Sequence, residues 1–283
     1  YRSSRGLGDV YKRQLLQLVL KKIIISRKGF DSIAGGAPSP ILADGRIFSL
    51  PIPQREKSPY RYKDLRFDEF EGTELLKKSG SKLSPNDFCH FDPILNQAIG
   101  IFGQANAAQS ELDNLDVQKG DLFLFFGWFR NYGEKAVNLH HLFGWLQIEK
   151  IIKGEKNIKE FLAYKRLCHP HGFKDVSRYK NNTLYVASKK LNFKNKKIKK
   201  KGFGLFKKTH EDLVLTEKNK TRSNWQLPKS FAKANNLFMN RLKWSDSKSL
   251  KLNYKGFGQE FVLNVEANPK IANWAMKLIQ MHG

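Results

Sequence analysis

The sequence has little cysteine and no long apolar run, and each shortage excludes a class of protein. Only two cysteines, Cys89 and Cys168, occur among the 283 residues. Two cysteines cannot build the disulfide framework of a small secreted domain, so we expect a reducing, cytoplasmic setting. A membrane-spanning helix needs about 18 or more consecutive apolar residues, and no such run is present. We therefore expect no membrane partner.

Acidic residues are also scarce relative to basic ones. The chain carries 26 Asp and Glu residues against 51 Lys and Arg residues, for a net charge of +25. Such an excess favours nucleic acid or phosphorylated ligands as partners. Lysine (38) far outnumbers arginine (13), a bias that an AT-rich genome produces without any partner. Both explanations of the charge stay open, and composition leaves the oligomeric state unknown.

The apolar pattern predicts one strand-rich α+β domain, built on a mostly antiparallel curved sheet or barrel with flanking helices. Short apolar runs rich in β-branched and aromatic residues predict the strands, and Ala-rich or amphipathic stretches predict the helices. The predicted strands cover residues 18–26, 46–53, 122–130, 139–148, 182–188, 202–206, 212–216 and 257–265, and the predicted helices cover 67–78, 106–115, 158–167 and 268–281. The segment 189–201 has eight lysines in thirteen residues and is predicted to be a disordered basic loop.

Two strands repeat the letters FGW, in "GDLFLFFGWFRN" and "HLFGWLQIEK". A hairpin that pairs Gly127 with Gly144 would place Trp128 and Arg130 on one face with Phe126, Phe143 and Trp145. That face would be an aromatic platform on which a nucleobase stacks, with Trp128 and Arg130 as ligand-binding residues. Alternatively, both faces are core and the glycines relieve crowding.

The segment "SRKGFDS" follows the first predicted strand and concentrates polar groups around a glycine. Ser26, Arg27 and Lys28 are candidate ligand-binding residues, because hydroxyls and cations just after a strand suit a phosphate or carboxylate. Asp31 is a candidate catalytic residue. The alternative is a surface turn in which the aspartate caps the backbone. The G-x-x-x-x-G-K-[ST] and G-x-G-x-x-G patterns are absent.

The segments "CHFD" and "CHPH" carry the other candidate catalytic residues: His90, Asp92, His169 and His171. Two histidines and a carboxylate could bind a metal, with the adjacent cysteines as softer ligands. No H-E-x-x-H or paired C-x-x-C spacing supports this, so the sequence assigns no metal and leaves any cofactor unknown. General acid–base catalysis, by His90 with Asp92 or by His169, is favoured over metal binding, and capped or packed histidines are the leading alternative to both. The proline of "HPH" favours an extended segment with both histidines on the same side.

Side-chain amides complete the candidates. Gln104, Gln109 and Gln259 are assigned to ligand binding, because glutamine can read a base edge through two hydrogen bonds. Glu260 joins them as a ligand-binding residue or general base. Equally, these residues could cap helices or form surface ion pairs.

Nine segments, taken in order, resemble one family: "SRKGFDS", "GGAPSPI", "DGRIFSLPIP", "HFDPIL", "GDLFLFFGWFR", "FGWLQI", "HPH", "NTLYVAS" and "GQEFVL". Together they are similar to the nucleotide modification associated domain of the third type, over nearly the whole chain from Leu20 to Val265. That family is implicated in DNA base hypermodification in bacteria and phages. The resemblance implies a nucleotide-linked role and no particular reaction. The basic insert at 189–201 is heavier than the family pattern implies.

The aromatic strands also resemble the core of PUA-like domains, small curved sheets that bind RNA or modified bases. This is an analogy of fold and implies little about function.

The domain organisation predicted from the sequence has two parts. Residues 1–17, which begin "YRSSRGLGDVYKRQ", resemble translated sequencing-adapter read-through and are expected to be a non-native leader. Residues 18–283 are expected to form a single nucleotide modification associated domain. The expected function is to act on, or recognise, a modified base or nucleotide in connection with DNA base modification. The alternative is a non-catalytic PUA-like reader of modified DNA or RNA.

Overall fold

The two aromatic strands form the middle of a mixed β-sheet in a computed structural model of the chain. The structure describes residues 19–131, 136–173, 179–193, 196–233, 237–238, 242–246, 251–254, 260–266 and 268–283. The expected leader, residues 1–17, therefore lies outside the described residues, and so does Gln259.

The described elements comprise sixteen strands and four α-helices. The strands are β1 (Lys22–Arg27), β2 (Ser39–Ile41), β3 (Arg66–Phe67), β4 (Phe70–Glu71), β5 (Ile101–Gln104), β6 (Leu122–Asn131), β7 (Asn138–Lys153), β8 (Thr183–Ala187), β9 (Asn192–Phe193), β10 (Lys196–Lys197), β11 (Phe203–Leu205), β12 (Asn224–Gln226), β13 (Leu237–Phe238), β14 (Leu242–Asp246), β15 (Lys251–Tyr254) and β16 (Glu260–Asn264). The helices are α1 (Gly72–Ser79), α2 (Asn106–Asn114), α3 (Glu155–Lys165) and α4 (Pro269–His282).

Nine strands form the main sheet, in the order β13-β16-β1-β6-β7-β8-β5, with β2 beside β6 and β11 beside β7. β1 and β2 run parallel to β6, and the other pairs are antiparallel. Within the described ranges the two ends of this order do not pair, so the sheet is open and the barrel alternative is wrong. The α+β class with a mostly antiparallel sheet is confirmed.

The central hairpin pairs in a different register from the predicted one. Gly127 lies opposite His141, and Gly144 lies opposite Phe125. The register shifts between Phe125 and Phe126, which leaves Phe143 as an extra residue on β7. A bulge of this kind moves the side chains that follow it to the other face, and nothing in the repeated letters FGW reveals it.

The aromatic platform is wrong as predicted, because three of its four rings are buried, Trp128 being half-buried, and the rings do not all share a face. Phe126 packs against His140, Trp225 and Phe261, whereas Phe143 packs against Phe125 and Phe129 on the opposite side. The side chains of Phe126, Phe143 and Trp145 lie in the main core. Both faces of the hairpin are therefore covered.

The basic segment 189–201 is not a disordered loop in its described part. β9 and β10 form a small antiparallel pair, and Leu191 exchanges backbone hydrogen bonds with Ile198 and Lys200. Leu191 is fully buried, and Phe193 and Ile198 pack against the main core. Three apolar side chains suffice here because they join a core that already exists, so the prediction of disorder was wrong.

Other predicted elements differ more locally. Residues 46–53 and 212–216 contribute isolated bridges and a 3-10 turn at Glu211–Leu213 in place of strands. The expected helix at 67–78 begins at Gly72, after the hairpin of β3 and β4. Pro170 opens a 3-10 turn, Pro170–Gly172, so the "HPH" segment is not extended.

No helix within the described part of the chain is both long enough and apolar enough to span a membrane.

Two adjacent histidines of β7 lie in the interior of the fold. The indole N–H of Trp225 donates to Nδ1 of His140 over 2.8 Å. Burial, and then the charges of Arg222 and Arg27, lower the pKa of His140 to about 3. Burial also lowers the pKa of His141 to about 4, although its hydrogen bond to the Leu142 carbonyl acts in the opposite direction. The folded state therefore requires both rings to be neutral.

This requirement predicts a pH-dependent stability. A histidine in the unfolded chain has a pKa of about 6.5, so the stability that depends on neutral His140 is present above that pH and is lost as the pH falls towards 3. His140→Gln keeps an acceptor for Trp225. We expect this variant to lose roughly 1–2 kcal/mol less free energy of unfolding than the unchanged protein when the pH falls from 6.5 to 5. Urea unfolding at several pH values measures this loss.

His210 is exposed and supplies the control. The stability of His210→Gln should depend on pH as that of the unchanged protein does. A His140→Gln variant whose stability falls with pH as steeply as the unchanged protein would contradict the assignment.

Candidate functional site

The curvature of the main sheet brings its edge strand β5 close to β1 and β16. The amide of Gln104 on β5 donates to Glu260 Oε1 on β16 over 2.6 Å. Lys28, just after β1, donates to the same carboxylate oxygen over 2.9 Å and lies 4.7 Å from the ring centroid of Phe102. These strands are far apart in the strand order, so the contacts show that the sheet curls strongly.

A cavity of about 380 Å³ opens beside these contacts, a volume within the range of small-molecule sites. Seven of the residues chosen from the sequence line it: Arg27, Lys28, Asp31, His90, Asp92, Gln104 and His171. Four separate segments of the chain supply them. The structure thus joins the "SRKGFDS" group to the histidine group, a meeting that the sequence alone could not show.

Asp92 is the centre of the histidine group. Its carboxylate is buried, and both of its oxygens accept the backbone N–H of Gly103, over 3.0 and 3.2 Å. Nε2 of His90 and Nε2 of His171 lie 3.5 and 3.6 Å from Oδ2, and Nε2 of His169 lies 3.3 Å from Oδ1. One carboxylate therefore faces three imidazole rings.

Side-chain amides fix the orientation of two of these rings. Gln54 donates to the Lys57 carbonyl, which leaves its Oε1 to accept Nδ1–H of His90 over 3.0 Å. Asn182 donates to the His171 carbonyl, which leaves its Oδ1 to accept Nδ1–H of His171 over 2.5 Å. When such a ring is neutral, its proton is then on Nδ1 and Nε2 is unprotonated, and a second proton on Nε2 would be donated to Asp92.

His169 has the opposite arrangement. Its Nδ1 accepts the backbone N–H of His171 over 3.2 Å, so the proton of the neutral ring is on Nε2. This Nε2 is buried and has no hydrogen-bond partner among the described residues, although Asp92 Oδ1 is close.

The protonation of Asp92 follows from these neighbours. Burial raises the pKa of the Asp92 carboxyl, but the charge and hydrogen bond of His169, the hydrogen bond of His90 and the charge of His171 together outweigh it. The pKa of Asp92 lies well below its ordinary value, and the group is a carboxylate at neutral pH.

Glu260 and Ser26 lie behind the cavity wall. They are directly opposite each other on β16 and β1, and both are buried. Glu260 holds Lys28 and Gln104 through Oε1, while its Oε2 and the Ser26 hydroxyl have no hydrogen-bond partner among the described residues. Glu260 thus positions two residues of the cavity wall.

Asp31 has a turn-forming role in the structure. Its Oδ1 accepts the backbone N–H groups of Ile33 and Ala34 over 2.8 and 2.6 Å, and its Oδ2 lies 3.5 Å from the Arg27 guanidinium. These contacts match the capping alternative. They place Asp31 at the cavity edge as the partner of Arg27, and its catalytic role stays a prediction.

Three candidate residues lie outside this cavity. Gln109 is buried between Asp113 and the Tyr185 hydroxyl. Trp128 and Arg130 share the Asn138 side-chain oxygen, over 2.8 and 3.0 Å. Their roles in ligand binding stay predictions, as does that of Gln259.

Sequence reasoning missed three residues that organise the site: Gln54, Gly103 and Asn182. A side chain on Gly103 would overlap the His171 ring, because its Cβ would lie 2.2 Å from Cδ2 of that ring. The letters "FGQ" carry a signal for this close approach, since a glycine inside a strand often marks one. Gln54 and Asn182 have no such signal.

Three atoms of the site could hold a metal ion. Nε2 of His90, a carboxylate oxygen of Asp92 and Nε2 of His171 all lie within 4.8 Å of one another.

The packing of Gly103 under His171 gives a specific test. We expect Gly103→Ala to displace the His171 ring and to weaken ligand binding in the cavity, because the overlap can be relieved only by moving the ring or the strand. Gly100→Ala is the matched control: its Cβ would overlap the Phe203 ring at 2.4 Å, away from the cavity.

Nucleotide binding and thermal unfolding, measured on both variants, separate a local effect from a general loss of stability. If Gly103→Ala binds the nucleotide as tightly as Gly100→Ala does, and the two variants are equally stable, the role of Gly103 is contradicted.

Comparison with known proteins agrees with the resemblance seen in the sequence. The family model for nucleotide modification associated domain 3 matches residues 22–264, a range that contains every residue lining the cavity. No curated protein and no solved structure matches the chain. The match extends over most of the sequence, and the chain belongs to the nucleotide modification associated domain 3 family.

Proposed function

We propose that this protein is an enzyme that modifies a base or nucleotide, in connection with DNA base modification, and that the cavity is its active site. The observation that carries the proposal is the convergence of Arg27 and Lys28 with the His90–Asp92–His171 group in one cavity. Cations can bind the phosphate of a nucleotide, and a carboxylate with imidazoles can move protons. The family adds the link to nucleotide modification.

The burial of the chemical groups favours an enzyme over a reader. A reader would present open aromatic rings to a base, whereas Phe126, Phe143 and Trp145 are in the core. The cavity instead presents titratable side chains, with the buried Asp92 beneath them. Groups of this kind, brought together in a cleft, are typical of catalytic sites.

The two sides of the cavity would have different roles. Arg27 and Lys28 are partly exposed at the end of β1, each beside one acidic partner, Asp31 or Glu260. They would hold the phosphate and orient the nucleotide. His90 and His171 would transfer protons at the reacting atom, while Asp92 holds the rings in place. Group transfer or hydrolysis fits these groups, and no dinucleotide is required.

The lysines of the β9–β10 segment support a nucleic-acid substrate. Lys189, Lys190, Lys199 and Lys201 are exposed, while the apolar residues between them anchor the segment to the core. A fixed basic surface would attract a phosphate backbone and would make binding weaken with salt.

Nucleoside mass spectrometry of cellular DNA tests the proposed function. We expect DNA from cells that make the unchanged protein to contain an altered nucleoside that is absent from cells without it. Asp92→Asn should abolish this product, because the neutral amide cannot hold the histidines as the carboxylate does. Asp212→Asn, which changes an exposed aspartate elsewhere, should keep it.

Folding of each variant is checked by thermal unfolding. An altered nucleoside that persists with a folded Asp92→Asn variant would contradict the active site. DNA of identical nucleoside composition with and without the protein would contradict a modifying activity on DNA.

A further inference from the structure

We propose that His90, Asp92 and His171 form a binding site for a divalent first-row transition-metal ion. The ion would be held by Nε2 of each histidine and by Oδ2 of the aspartate. This inference deepens the proposed function and rests on it for the identity of the site, since the metal would lie at the wall of the same cavity.

Three potential metal ligands face one another. Gln54 and Asn182 accept from Nδ1 of His90 and His171, so Nε2 is the atom of each ring that is turned towards Asp92. Both Nε2 atoms face Oδ2 of an ionised carboxylate. A metal ion between them would take the place of any proton that the rings share with Asp92, and its charge would offset that of the carboxylate.

The spacing of the three atoms fits a metal ion. Bonds of about 2.0–2.2 Å to nitrogen and oxygen place two ligand atoms about 3.3–3.6 Å apart at the tetrahedral angle. The separations from Asp92 Oδ2 are 3.5 Å to His90 Nε2 and 3.6 Å to His171 Nε2. Neither is a hydrogen-bond distance with good geometry, and both match ligands that share an ion.

The surroundings hold each ligand as metal sites usually do. Metal-binding histidines typically donate their other ring N–H to an oxygen, as His90 and His171 do to two side-chain amides. Oδ1 of Asp92 has the shorter contact with Gly103 N–H and faces His169, while Oδ2 faces both His90 and His171. The His90 side chain is 15% exposed, so the site can be reached from the cavity.

The ligand set selects the class of ion. Imidazole nitrogen suits zinc, iron, copper and nickel, whereas magnesium and calcium prefer oxygen ligands alone. Two histidines and one carboxylate would fill three coordination positions of the ion and leave its remaining positions open towards the cavity. Through an open position, an ion of this class could polarise a phosphoryl or carbonyl oxygen or lower the pKa of a water molecule. With an ion bound, His90 and His171 would act as its ligands and not as the groups that transfer protons.

A second cluster of possible ligands lacks these features. His210, Asp212 and His282 lie on the surface, and Nε2 of His282 hydrogen-bonds Asp212 over 3.1 Å. The Asp212 backbone N–H already occupies Nδ1 of His210. This cluster therefore serves as a control for unspecific metal binding.

Metal binding is tested on the full chain after removal of metal with a chelator. We expect isothermal titration with Zn²⁺, followed by elemental analysis, to show one tightly bound ion per chain. His171→Gln and His90→Gln should each weaken binding at least about 100-fold, since each removes a ligand. Gln54→Leu removes only the partner of His90 and should weaken binding about 10–100-fold. Mg²⁺ should fail to compete at equal concentration.

His210→Gln should leave the affinity for Zn²⁺ unchanged. An affinity that His171→Gln leaves intact, in a variant shown to be folded by thermal unfolding, would overturn the site. So would a loss that His210→Gln produces and His171→Gln does not, or the absence of any tight Zn²⁺ binding.

The titration contains no nucleotide, so it separates the two proposals. Tight Zn²⁺ binding without an altered nucleoside in cells would overturn the proposed function and keep the metal site. An altered nucleoside without metal binding would overturn the metal site and keep acid–base catalysis by the histidines.

Discussion

The buried carboxylate of Asp92 is the interaction on which the site depends. A charge removed from water must be offset by donors or cations, or the fold loses several kcal/mol. Gly103 supplies a backbone donor, and three histidines supply rings that can carry charge or share an ion. These groups come from three separate segments of the chain. The need to offset the buried charge of Asp92 therefore fixes how those segments pack together.

The curvature of the sheet makes that meeting possible. β5 is an edge strand, yet Gln104 reaches Glu260 on β16, and Gly103 lies under the His171 ring. The cavity opens where the curled sheet approaches closure, and its two edges do not pair within the described residues. Residues after the end of β1 then face the histidine group across the opening, which brings an anion-binding side and a proton-transferring side together. Fold and site are thus two consequences of one curved sheet.

The sequence predicted the parts that depend on local pattern. The α+β class, the aromatic strands, the strand over Thr183–Ala187 and the C-terminal helix all follow from apolar periodicity. Parts that depend on distant contacts could not be predicted. The bulge at Phe143 changed the faces of the hairpin, and Leu191 is buried because a distant core receives it. His90 and His171 were chosen by residue type, but only the fold shows that they share Asp92 and are oriented by Gln54 and Asn182.

The direct test of this account is nitrogen-15 NMR of the histidine side chains at neutral pH in metal-free protein. The account predicts that neutral His90 and His171 carry their proton on Nδ1, with an unprotonated Nε2, and that His169 carries its proton on Nε2. Substituting each histidine in turn assigns the signals. A neutral His90 or His171 ring that carries its proton on Nε2 instead of Nδ1 would contradict the orientation that Gln54 and Asn182 give to these rings.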